Sequence, residues 1–159
     1  MRSLSASLLI AALVVTAAGQ AHAHCQIPCG IYDDELRVQL IEEHITTIEK
    51  SMNQIVALGK ESPINYNQLV RWIDNKEQHA QEIQDIVAAY FLCQRIKTPD
   101  TREGKPWEQY AEQLATLHQI QVAAMKAKQT ADLANVEALR SLVKTFRTLY
   151  FGEAGGHSH

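Results

Sequence analysis

Cysteine, proline and aromatic residues are all scarce in this chain of 159 residues: three cysteines, four prolines, and 6% Phe, Trp and Tyr. Each scarcity narrows the fold. Pro28, Pro63, Pro99 and Pro106 leave long uninterrupted stretches between them, which helices require, because an interior proline removes a hydrogen bond and clashes with the preceding turn. No segment alternates apolar and polar residues as a half-buried strand would. No apolar run reaches the roughly 20 residues of a membrane span. The longest, Leu8 to Ala18, lies near the start. An excess of basic charge is missing too: 15 Lys and Arg stand against 18 Asp and Glu, a net charge of −3. That balance argues against a nucleic-acid partner and gives an anionic substrate no global attraction, so any steering has to be local.

What is present starts with a removable leader. Arg2 precedes the apolar run, and Ala21-His22-Ala23 places small residues where a signal peptidase needs them. Residues 1–23 read as a signal peptide, with an uncleaved N-terminal anchor as the alternative. Arg2 is its only charged side chain, so the remainder is one unit more negative than the whole. Cleavage after Ala23 makes the mature protein exported, periplasmic or secreted, with no stable membrane span. It also makes His24 the first residue, with a free α-amine.

The next nine residues are His24-Cys25-Gln26-Ile27-Pro28-Cys29-Gly30-Ile31-Tyr32. The His24 α-amine, the Cys25 amide nitrogen and the Cys25 sulfur can close two five-membered chelate rings on one metal. Cys29 supplies a second sulfur if the chain hooks back. Pro28 fixes φ and Gly30 permits angles that a side chain forbids, so the stretch suits a tight turn. The product is a planar two-nitrogen, two-sulfur set with the His24 imidazole free to approach from above. Such geometry favours Ni(II) or Cu(II) over tetrahedral zinc. Two thiolates and an anionic amide would bring a Ni(III)/Ni(II) couple into biological range. Cys25 and Cys29 could instead form a simple disulfide in an oxidising compartment.

The pattern His24-Cys25-x-x-Pro28-Cys29-Gly30-x-Tyr32, placed behind a cleavage site, resembles the nickel hook of the nickel superoxide dismutases. The resemblance implies one nickel ion per subunit on His24, Cys25 and Cys29, and superoxide disproportionated to dioxygen and hydrogen peroxide. It implies a homohexamer of four-helix bundles, and nickel-delivery or maturation factors are conceivable partners. It gives Tyr32 a place beside the open axial face, and Tyr90 that of a second tyrosine; a core aromatic is the plainer reading of Tyr90. Glu42 or Glu43 matches a carboxylate that orients the axial imidazole. His79 stands where the family's familiar members have arginine, and Gln26 replaces an aspartate. Ordered water, a thiolate or Tyr32 could each supply protons. The alternative function is an exported, non-catalytic nickel- or copper-binding helical protein.

The remainder, 33–151, reads as an antiparallel up-and-down four-helix bundle, making the fold all-α with an N-terminal metal-binding hook. A first helix, capped by Asp33 or Asp34, runs to about Leu58 with Gly59 as its stop, and carries Ile41, Ile45, Ile48, Met52 and Ile55 on one face. A second runs from about Asn65 to Ile96 with Leu69, Ile73, Ala80, Ile83, Val87 and Tyr90 inward. Cys93 falls inside it and reads as a buried small hydrophobe. After the polar connector 97–105, Pro106 opens a third helix to about Lys128, with Tyr110, Leu114, Leu117, Ile120, Gln121, Ala124 and Met125 on or beside its core face. Thr130 can cap a fourth, ending near Phe151, with Val136, Leu139, Val143, Phe146 and Tyr150 inward; the last two helices could also form one kinked rod. Residues 152–159 form a tail, and its His157 and His159 offer only loose metal binding.

Overall fold

A computed structural model describes residues 26–152. The leader, His24, Cys25 and the tail beyond Gly152 lie outside the described residues. Four helices account for most of the rest: α1 Asp34–Leu58, α2 Tyr66–Asp85, α3 Gly104–Gln129 and α4 Ala134–Phe151. A π-helical segment, Ile86–Arg95, continues α2. No strand occurs among the described residues. Each helix packs on the next, and α4 closes back on α1. The alternation of direction follows from the contacts: Asp34 at the start of α1 meets Arg95 beyond the end of α2 and Tyr150 near the end of α4, while Gln109 near the start of α3 reaches the Leu149 carbonyl.

Local chemistry sets the helix starts. The Asp33 carboxylate accepts from the Leu36 amide at 2.9 Å and caps α1. Asn65 caps α2 in the same way through Gln68. The core is the expected set of stripes: Ile41, Ile45, Ile48 and Met52 from α1, Ala80, Ile83, Val87 and Phe91 from α2 and its continuation, Leu117, Ile120 and Ala124 from α3, and Val136, Leu139, Val143 and Phe146 from α4, all buried. Phe91 meets the Phe146 ring edge-on at 4.9 Å between centroids, tying the π-helical segment to α4.

Several expectations need correction. Ile73 is 37% exposed, and the buried position on that turn is Lys76. Its Nζ donates to the Ala127 carbonyl at 2.8 Å and to that of Lys128. An ammonium is thus buried where it satisfies the orphaned carbonyls at the negative end of α3. Cys93 is exposed and free rather than buried, lying beside the inward stripe that runs through Val87, Tyr90, Phe91 and Gln94. Met125 is also exposed. Helices three and four are separate, and Thr130 does not cap α4: its hydroxyl accepts from Asp132, whose carboxylate then accepts from Ala134 at the helix start. Gly59 ends α1 in a right-handed conformation, without the left-handed turn that glycine often supplies.

Candidate metal centre

Residues 26–32 lie at the bundle end where α1 begins and where the π-helical segment and α4 finish. They form a compact turn, with the Cys29 amide donating to the Gln26 carbonyl at 3.0 Å and the Ile31 amide to that of Pro28 at 2.8 Å. The Ile27–Pro28 peptide is cis. Gly30 has φ +85°, in the left-handed region that glycine enters at least cost. The turn is held from below by Gln94, whose buried side-chain amide donates to the Ile27 carbonyl at 3.2 Å and to Ala89 at 2.7 Å.

Beyond the turn, Tyr32 is 38% exposed. Its ring stands edge-on to Tyr90 at 5.9 Å, and the Arg95 guanidinium lies 4.4 Å from its centroid. Tyr90 is 3% exposed, and the Arg37 guanidinium lies 5.0 Å from its ring. Below both sits Asp34. One carboxylate oxygen accepts from the Tyr90 hydroxyl at 2.6 Å and from Arg95 Nε at 2.7 Å. The other accepts from Arg95 at 2.7 Å and from the Tyr150 hydroxyl at 2.8 Å.

This network sets the electrostatics. Burial raises the Asp34 pKa, but hydrogen bonds from Arg95, Tyr90 and Tyr150 outweigh it and hold the carboxyl below its ordinary value. Burial and the Asp34 carboxylate raise the Tyr90 pKa far above the usual tyrosine value and push Tyr150 up to about 12. Both phenols therefore stay protonated at neutral pH, donating into Asp34. Of the two sequence-predicted tyrosines, Tyr32 is the one at the surface and Tyr90 its support.

The other sequence-predicted residues are spread out. His24 and Cys25 lie outside the described residues. Cys29 is in the turn and is disulfide-bonded, so a second sulfur reaches it. That is the oxidised form of a dithiol, and in the reduced form it offers two thiolates, donors that a late transition metal such as nickel accepts. Glu42 is drawn towards α4, its carboxylate 3.6 Å from Arg147. Glu43 is exposed and adds negative charge beside His44. His79 packs against α1, its Nδ1 2.7 Å from Nδ1 of His44.

Gln94, Arg95, Asp34 and Tyr150 belong to this end of the molecule and were not singled out in the sequence as site residues. Two signals pointed to them: polar Gln94 and Arg95 interrupt an otherwise apolar run from Ile86 to Ile96, and Asp34 doubles an acidic cap directly after Tyr32.

The fold and this end of it define a class, an all-helical bundle that mounts a cysteine-bearing turn on the converging ends of its helices. Residues 19–153 match the family model described as nickel-containing superoxide dismutase, and the chain belongs to that family. It is a nickel-dependent oxidoreductase that disproportionates superoxide to dioxygen and hydrogen peroxide, with nickel as its cofactor. No curated protein and no solved structure matches the chain.

Proposed function

We propose that the chain is exported, cut after Ala23, and holds one nickel per subunit through the His24 α-amine and imidazole, the Cys25 amide and sulfur, and the Cys29 sulfur. Nickel would supply the one-electron Ni(III)/Ni(II) couple. The observation that carries this reading is the anchoring of the turn: Gln94 holds the Ile27 carbonyl, and Tyr32 is wedged between Tyr90 and Arg95 directly beyond it. The chain builds a support for this turn out of buried polar groups, which an ordinary disulfide-closed N-terminus has no need of.

In this reading Tyr32 lines the approach to the metal and admits only small species, with its hydroxyl available as a proton source. Tyr90 is less suited to give up a proton, because its hydroxyl is committed to Asp34. The Arg37 guanidinium beside the Tyr90 ring supplies local attraction for an anion on a chain of net negative charge, whereas the charge of Arg95 is balanced by Asp34. The bundle assembles into a homo-oligomer, a hexamer by analogy with the family, and dedicated factors deliver the metal. Family membership favours this enzyme over the non-catalytic metal-binding reading.

The test is intact mass and metal content measured together on protein isolated from its native host. A chain starting at His24 with one nickel per chain is the expected result. A chain starting elsewhere, or one free of nickel with an oxidised cysteine pair, overturns the ligand assignment. One extra residue ahead of His24 should abolish both nickel retention and superoxide decay, while far-UV circular dichroism stays unchanged.

A further inference from the structure

About three helical turns along α1 from Asp34, α1 and α2 face each other through two imidazoles. His44 and His79 are both half-buried; their Nδ1 atoms are 2.7 Å apart, their ring centroids 5.0 Å apart, and the rings are tilted by 50°. At that separation one ring donates its Nδ1–H and the other accepts it. Burial, and then the facing His79, hold the His44 pKa below the usual imidazole value, while Glu82 and Glu43 pull the other way. The result is two ring nitrogens facing each other across α1 and α2, with two carboxylates nearby to balance a cation.

We propose that His44 and His79 form a second metal site, a two-imidazole clamp across α1 and α2 for a divalent late transition metal such as Zn(II). The spacing of the rings supports it. If the centroids stay in place and each ring turns to aim its Nδ1 at a common point, a metal about 2.05 Å from both nitrogens subtends roughly 100°. That is close to the tetrahedral angle. The bridging proton shifts to Nε2 of its own ring, so binding to two uncharged rings releases no proton. Among the described residues no cluster of three or more His, Cys, Asp or Glu side chains is placed to hold a metal. The clamp therefore contributes two protein ligands, and water fills the remaining positions, which makes the site exchangeable.

The test uses the full chain with the hook and tail silenced by His24→Ala, Cys25→Ser, Cys29→Ser, His157→Ala and His159→Ala. Equilibrium dialysis against Zn(II) at pH 7.5 should give one bound ion per chain, and Co(II) should give the visible spectrum of a tetrahedral site. In that background His44→Gln or His79→Gln should each weaken binding at least tenfold. No bound Zn(II), or binding unchanged by both substitutions, overturns the proposal. Imidazole ¹⁵N spectra of the silenced chain itself give a reading that does not depend on how the glutamine variants fold. Zn(II) should shift the Nδ1 signals of His44 and His79 and leave those of exposed His118 in place; the reverse pattern also overturns it.

Discussion

At the scale of single residues, Asp34 decides most. Its two oxygens accept four hydrogen bonds from three side chains, two of them from a guanidinium fork. Asp34→Asn keeps the shape but removes the charge those donors face, and should cost about 1–3 kcal/mol, read as a lower urea midpoint. The pH dependence follows from the depressed pKa. The stabilisation is present above the ordinary aspartate value near 3.9 and is lost as pH falls through the lower folded value. The native protein should thus show an acid transition below about pH 4 that is weakened in Asp34→Asn, followed by tyrosine fluorescence. Gln94→Leu fills similar space but releases the Ile27 carbonyl. It should lower nickel retention by about tenfold with little change in helix content, measured by metal analysis after dialysis. Asp34 was read in the sequence only as a possible cap. Its role needs partners from residues 90, 95 and 150, and no local pattern of residues announces a contact between positions so far apart.

Elements were easier to read. A helix writes its buried face every third or fourth residue, so the stripes of α1 and α4 were legible in full from Ile41 to Met52 and from Val136 to Phe146. The α2 stripe failed at Ile73, since a lysine with a long apolar stem can enter the interior if its tip finds carbonyls, and those carbonyls come from α3. Lys76→Met should remove that satisfaction and destabilise by about 1–3 kcal/mol despite its added hydrophobicity, measured by thermal or urea unfolding. The π-helical segment was not legible either, because its apolar content equally suits an α-helix. Tyr90, Phe91 and Gln94 face inward on it and Cys93 stays outside.

For the whole molecule, the fold class followed from four amphipathic segments and short connectors, and the family from nine residues whose types and spacing agree. A hook could be proposed from the sequence because metal chemistry demands particular atoms at particular intervals. Its support could not, because packing demands only complementary shapes. Cys29 in a disulfide leads to a prediction for the intact protein. Oxidised, metal-free chain should take up no nickel until a thiol reductant opens the pair, and should then take up one ion per chain, read by parallel metal analyses with and without reductant.

The platform under the turn also has a place in time. Asp34 lies 56 positions before Tyr90 and 116 before Tyr150, so the bonds that brace the start of the bundle span nearly all of it. On a ribosome the turn would emerge early and its last brace almost at termination. A chain stopped short of Tyr150 would carry every proposed ligand residue but an unfinished seat for them, so competence to hold the metal should be a property of completed chains rather than nascent ones.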